Sequence, residues 1–431
     1  WHTRSFFLEL KPRAELASLF VDCPPYDFPK CNREAGNDDN KKLVFRFTFL
    51  DKDGALDMIR VSEHSVELGI PPVVAESLRL GQKLTRYRVS ISDLTFYPQS
   101  LCASTWADSN RIFMCKLHVE ADGKPLVPKT FHRLARDIRD TKPLEEYCKE
   151  DHSNISICCT QCGRPITKDG TINVRLSCLP CDDCFETSPS ADYYCRDSCG
   201  AGCDPERHKS HRDETESGQL HADWLPDRTK FLLSNSYVAV NEECLSDKEV
   251  SSDGVFSCKS CHAELGTVVK NRRDIVLLHH AVCTLSVNAK SFLKTRFSDM
   301  SIFFAQLVLS SCEAQSSLKL VVRSLNKTPH LLIWLLDSYI VAAMGELRDE
   351  ENESPQPEIR PFPAVKMLYK VFDAQSAASD PRANGEDSSV GLVNVPFGCC
   401  MQLIEHLLLS SHSLPVPCRS VGQFYVGFLK M

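Results

Sequence analysis

Two short cysteine pairs carry the most specific chemistry in the chain. Cys159-Thr-Gln-Cys162 and Cys258-Lys-Ser-Cys261 each set two thiols two residues apart, followed by a small or polar residue and then apolar positions. That spacing lets two thiolates grip one face of a tetrahedral ion, and a second pair supplies the other face. A closed four-sulfur shell leaves no position for water, which favours structural zinc over catalytic zinc. Cys158, adjoining Cys159, is an alternative ligand, while His262 reads as a supporting or surface residue. A shared ion would pin together the ends of a long insertion.

Twelve of the 22 cysteines fall between Cys158 and Cys261. Cys178, Cys181, Cys184, Cys195, Cys199 and Cys203, with His208 and His211 nearby, are numerous enough to close a second or third zinc site inside the insertion. Single cysteines inside apolar stretches (Cys102, Cys115, Cys283, Cys312) accompany the C-x-x-C clusters. That usage suits a reducing compartment with metal-bound thiolates, hence cytosol or nucleus, rather than a secreted disulfide framework.

The elements that must position these thiols read as a β-rich α+β protein in three parts. Residues 1–155 form an N-terminal domain like an antiparallel β-sandwich, because Leu43–Leu50, Leu84–Tyr97 and Arg111–Val119 alternate apolar with polar residues. Asp51-Lys-Asp-Gly54 is a hairpin turn, since the later ligands of an EF-hand loop are missing. Residues 156–270 are the zinc-stapled, cysteine-rich insert, whose polar centre Asp204–Gly218 reads as an exposed loop and whose Phe231–Val240 returns as a strand. Residues 271–431 form a C-terminal α+β region. Ile275–Val287, Leu318–Leu325, Phe362–Phe372 and Val421–Leu429 read there as strands, and Asp299–Leu309 and Cys400–Ser411 as helices. Leu331–Val341 is too apolar to assign by period, though Leu331–Leu336 with Trp334 reads as core. Gly345–Glu358 and Gln375–Val390 read as loops.

Length and charge set outer limits. At 431 residues the chain can bury two or three cores. A net charge of −7 without a long Lys/Arg run argues against direct nucleic-acid binding. The longest purely apolar run, Leu331–Leu336, is too short to cross a bilayer, and residues 1–20 show no secretory signal. A chain opening on Trp1 is expected to lack its first few residues. No phosphate-cradling glycine loop, H-E-x-x-H or G-x-S-x-G motif occurs.

The paired knuckles, the segment Leu331-Leu-Ile-Trp-Leu-Leu-Asp337 and the C-terminal Gln423-Phe-Tyr-Val-Gly-Phe-Leu-Lys-Met431 together resemble the family of HECT-like ubiquitin ligases, also called ubiquitin-conjugating-enzyme-binding proteins. The resemblance runs from about residue 155 to the C-terminus. It implies acceptance of ubiquitin from a conjugating enzyme and its transfer to substrate proteins such as cyclins. It also implies a separate, non-catalytic role: inhibiting or chaperoning the metallo-β-lactamase endonuclease of pre-mRNA 3′-end cleavage and polyadenylation, with a loop cysteine at the partner's active-site zinc.

Matched residue by residue, the family's loop cysteine falls on Cys195, although Arg196 stands where the family has His or Cys and Cys181 and Cys184 replace Ser and Trp. An internal zinc site competes for the same thiol. Val395-Pro-Phe-Gly-Cys-Cys400 loosely resembles the HECT thioester motif, which makes Cys400 the candidate nucleophile. The competing reading is a buried cysteine opening an apolar helix, with Met401, Leu403, Ile404 and Leu407 as its stripe. Residues 285–306 occupy the place of the family's segment for binding the conjugating enzyme, yet Ile302, Phe303, Leu307 and Leu309 also read as a core helix face.

Overall fold

The computed structural model describes residues 5–12, 14–22, 31–37, 43–51, 54–69, 86–107, 112–121, 143–179, 185, 224–246, 249–346, 348–349, 359–383 and 385–431. Among these, extended chain dominates: three mainly antiparallel sheets and four α-helices, designated α1 (Phe292–Arg296), α2 (Met300–Ala314), α3 (Ala374–Ser379) and α4 (Phe397–His412). No helix of the described residues is long and apolar enough to cross a membrane.

One ten-stranded sheet draws on both ends of the chain. Ser5–Lys11 lies between Leu16–Asp22 and the 18-residue strand Pro329–Glu346, antiparallel to both, with Leu10 opposite Val341. Beyond that long strand come Phe362–Val371 and the C-terminal Phe424–Lys430. Glu9, buried in this pairing, receives the Lys366 ammonium at 2.5 Å, so the charge that a buried carboxylate would otherwise leave exposed to an apolar interior is matched. A six-stranded sheet holds Cys31–Asn37, Leu43–Asp51, Gly54–Ser62, Ser65–Gly69 and Arg86–Ser90, with Arg348–Asp349 at its edge. Asp51 faces Gly54 across the expected hairpin, whose two turn residues lie outside the described set.

The sheet that matters for the cysteines is the second ten-stranded one, running from Ser153–Cys159 to Lys290–Ser291. The limits at 155 and 270 that composition suggests fall inside it, so the chain on either side of each limit is hydrogen-bonded into the same sheet. Ile172–Cys178 runs parallel to Lys230–Leu233, and the neighbouring pairs are antiparallel. One apolar cluster joins this sheet to the C-terminal half through Phe256, Phe292, Phe303, Phe304, Ile333 and Tyr369. Helices α2 and α4 both lie on strand Phe424–Lys430, sealing that cluster from above.

Several local expectations need correction. Phe231–Val240 is two strands, Lys230–Leu233 and Tyr237–Asn241, because Ser234 folds the chain back and its hydroxyl takes the Tyr237 N–H at 3.1 Å. Ile275–Val287 likewise breaks into Arg272–His279 and Cys283–Val287. The stretch expected as a loop at 375–390 opens with α3, whose start is fixed by a reciprocal capping box between Asp373 and Ser376. Leu331–Leu336 is not all core: Leu331, Ile333 and Leu335 face the main cluster, while Trp334 and Leu336 are exposed by 40% and 41%. A strand's two-residue alternation requires this split, and Lys319 Nζ sits 5.1 Å from the Trp334 ring.

Candidate metal centre and the surrounding cysteines

Each C-x-x-C pair folds into the same turn. The strand Ser153–Cys159 delivers Cys159, whose N–H donates to the Arg164 carbonyl at 2.9 Å while Gly163 N–H donates back to the Cys159 carbonyl at 2.9 Å. The second turn follows strand Val255–Ser257. There Cys258 N–H donates to the Ala263 carbonyl at 2.9 Å, and His262 N–H donates to the Cys258 carbonyl at 2.7 Å. Both turns need a left-handed residue after the second cysteine: Gly163 has φ +72° and His262 φ +58°. Glycine adopts that conformation freely, whereas a side chain costs about 1–2 kcal/mol. The His262 imidazole reaches the Glu249 carboxylate at 3.1 Å and so points away from the sulfurs.

The sheet brings the two turns together across 96 residues. Cys159 Sγ lies 3.6 Å from Cys261 Sγ, and Cys162 Sγ lies 3.6 Å from Cys258 Sγ. All four sulfurs are within 4.8 Å of one another. A tetrahedral ion with metal–sulfur bonds of about 2.3 Å needs sulfur–sulfur edges of about 3.8 Å. The donor set therefore fits a soft or borderline cation, and these four cysteines can hold a metal ion.

Three of the thiols differ in environment. Burial pushes Cys159 up to about 12 and raises Cys261, while the backbone of Arg164 hydrogen-bonds the exposed Cys162 and brings it down to about 7. Cys283 lies fully buried next to Cys159 and Cys258, yet it stays outside the four-sulfur group, its own S–H directed 3.8 Å to the Leu265 carbonyl. Cys158 is not a substitute ligand. Alternation along its strand turns it to the opposite face, where it meets Ser156 Oγ at 3.8 Å.

The remaining candidates fare differently. Cys178 ends strand Ile172–Cys178, half-buried, with its sulfur 3.0 Å from that of Cys148. Cys181, Cys184, Cys195, Cys199, Cys203, His208 and His211 lie outside the described residues. Cys400 is completely buried in the first turn of α4, its S–H directed to the Val395 carbonyl at 3.9 Å. Burial first, and the nearby Glu264 carboxylate second, push its thiol up to about 12. Glu264 reaches from the central sheet to cap the same helix, accepting the Phe397 N–H at 2.7 Å. His406 packs its ring against Phe304 at 5.2 Å. In the segment 285–306, Phe292, Ile302, Phe303 and Phe304 are buried, and just beyond it Leu307 and Leu309 pack partly buried against the same core.

Sequence patterns do not bring out two further groups. Cys148 carries no C-x-x-C signature, and Glu15 is distant in sequence from His118 and Glu120. These last three converge on the surface, with His118 Nε2 2.9 Å from Glu15 and the Tyr97 hydroxyl donating to Glu120 at 2.8 Å.

Comparison with known proteins adds to this geometry. Residues 135–426 match the family described as HECT-like ubiquitin-conjugating enzyme (E2)-binding. The chain is similar to an E3 ubiquitin-protein ligase of Bos taurus, 23% identical over 343 residues, which is 73% of this chain and 79% of that protein. It is 22% identical over 232 residues to the Mus musculus ligase of the same name (51% and 61%), and 24% over 182 residues to the Homo sapiens one (40% and 46%). The mouse and human matches thus span less than two thirds of those proteins. No solved structure matches.

Proposed function

The chain belongs to the HECT-like ubiquitin-conjugating-enzyme (E2)-binding family, and from that membership we propose that it promotes ubiquitin transfer from a bound conjugating enzyme to lysines of substrate proteins. The observation that carries this reading is the family match over 135–426, which takes in both cysteine knuckles and the start of the last strand. In this reading the four-cysteine site holds zinc. The ion, once bound, supplies cross-linking rather than substrate activation, because four sulfurs complete its tetrahedral shell.

The burial of Cys400 favours direct transfer over a thioester relay. Exchange with an incoming thioester requires a thiolate that a second protein's C-terminus can reach. Cys400 is neither ionised near neutral pH nor exposed, and freeing it would unwind the first turn of α4 and break the Glu264 cap. We therefore place the chain as a platform that orients the charged conjugating enzyme. The substrate lysine Nζ attacks the thioester carbonyl, the carbon–sulfur bond breaks, and the conjugating enzyme's cysteine leaves as the thiol with the proton that the amine loses.

Discharge of a charged conjugating enzyme onto free lysine, followed on non-reducing gels, tests this. The chain should accelerate discharge, Cys400→Ala should do so equally, and no reductant-sensitive ubiquitin adduct should form on the chain. A reducible adduct that Cys400→Ala abolishes would overturn the direct route in favour of a thioester at Cys400.

A further inference from the structure

Away from the four-sulfur centre, Cys148 and Cys178 approach each other as no other pair of thiols does among the described residues. Cys148 follows the short 3-10 turn Leu144–Glu146, and Cys178 is the last residue of its strand. Their sulfurs are 3.0 Å apart. Two ligands of one tetrahedral ion stand about 3.8 Å apart, and the metal-type pairs of this protein stand at 3.6 Å. Among the described residues no third thiol, imidazole or carboxylate joins Cys148 and Cys178 at ligand distance. The separation instead leaves about 1 Å to close for a covalent sulfur–sulfur bond.

We propose that Cys148 and Cys178 form a reversible disulfide under peroxide, a modification site separate from the metal centre and independent of the ubiquitin-transfer reading. The two thiols share one hydrogen bond in which either can be the donor, so either sulfur can react first. The one that has lost its proton attacks a peroxide oxygen: the O–O bond breaks, hydroxide leaves and takes up the proton that thiol released, and that cysteine becomes a sulfenic acid. The other sulfur then attacks that sulfenic sulfur. The S–S bond forms, the S–O bond breaks, and the thiol proton with the departing hydroxide makes water. Two thiols are oxidised by two electrons, and one hydrogen peroxide is reduced to two waters. Both cysteines are half-buried, within reach of so small an oxidant.

The cross-link would tie the turn at Leu144–Glu146 to the end of strand Ile172–Cys178, directly before the chain enters its cysteine-rich stretch. Its formation therefore fixes the exit of that strand, and reduction releases it.

The test is thiol mapping on the full chain, purified with zinc. The protein is treated with hydrogen peroxide, blocked with N-ethylmaleimide, and mapped by non-reducing mass spectrometry with fragmentation. The expected result is a peptide joined through Cys148 and Cys178, with loss of maleimide labelling at Cys148, reversed by dithiothreitol. In Cys178→Ser, Cys148 should stay labelled after the same treatment. Full labelling of Cys148 in the peroxide-treated wild type would overturn the proposal. So would loss of one zinc per chain in both Cys148→Ser and Cys178→Ser, which would make the pair metal ligands. The wild-type map reads out even where a variant folds poorly.

Discussion

Replacing Cys258 by alanine separates a metal-bound cysteine cluster from a merely buried one, because the two cases differ several-fold in cost. Cys258 is 4% exposed, and its sulfur lies 3.6 Å from Cys162. If the four thiols only packed, removing one sulfur would cost about 1 kcal/mol, as for other single-atom core deletions. A structural zinc changes the scale. Apparent binding free energies at such sites are about 10–16 kcal/mol and appear as folding free energy. An independent figure comes from chain entropy. Linking Cys162 to Cys258 closes a loop of 96 residues, which the cross-link model values at about 4.7 kcal/mol. That is an upper bound for the entropic share, since strand pairing closes part of the same loop. A loss of about 5 kcal/mol lowers the melting temperature of a domain of about 150–250 residues by about 10–20 °C. The assay pairs a colorimetric zinc-release measurement with thermal melts followed by circular dichroism. Wild type should release zinc when its thiols are modified, and Cys258→Ala should bind none at this site and melt well below it. A variant melting within about 2 °C of wild type, with zinc content unchanged, would refute the metal centre.

Four further outcomes follow from packing and titration. His279 and His280 are buried at the end of strand Arg272–His279, and burial pushes them down to about 4 and about 3. Unfolded, both titrate near 6.5, so below that pH the unfolded chain binds protons the folded chain refuses. Stability is full above about pH 7 and falls by up to about 1.4 kcal/mol per pH unit for each histidine as pH drops towards 4. Urea melts at pH 7 and pH 5 should show this, with His280→Gln reducing the slope, and equal midpoints would count against it. Gly266→Ala should cost at least about 3 kcal/mol and yield insoluble protein, since a Cβ there would stand 1.8 Å from the Leu277 carbonyl oxygen. Gly163→Ala meets nothing within 4 Å and pays only for its φ of +72°, about 1–2 kcal/mol by denaturant titration. Trp334→Ala should cost less than the about 3–5 kcal/mol of a core aromatic truncation, because the residue keeps 40% of its surface open to solvent and Lys319 lies over its ring; a loss in the core range would mean that the ring is covered.

What the sequence reveals depends on how local the cause is. The knuckles are legible because a C-x-x-C turn is set by consecutive residues, and their shared pattern predicts that Cys159, Cys162, Cys258 and Cys261 converge. Strands with one wet face, such as Ile112–Ala121, announce themselves by alternation. The long strand Pro329–Glu346 does not: Leu332 is buried on the face opposite Leu331 and Ile333, which erases the two-residue period. Helix α3 escapes notice because its stability rests on a capping box rather than an apolar stripe. The Cys148–Cys178 approach is set wholly by tertiary structure, and single cysteines 30 residues apart give no warning of it. For Cys400, the apolar stripe of Leu403, Ile404 and Leu407 points to the buried alternative from sequence alone.

The pairing of Leu10 with Val341 bears on how the chain is made. The first strand leaves the ribosome with apolar residues on both faces, Phe6, Phe7, Leu8 and Leu10, all buried in the finished sheet. Its long neighbour follows only after more than 300 further residues, roughly 15–65 s at about 5–20 residues per second. During that delay the hairpin with Leu16–Asp22 gives it a partner on one edge while the other edge waits. The strands between Ser153 and Ser291 wait less, since Cys159 meets Cys283 only about 125 residues later, so they can assemble before the termini meet. Holdase chaperones that cover nascent edges should therefore engage the amino-terminal hairpin of this chain longer than its middle.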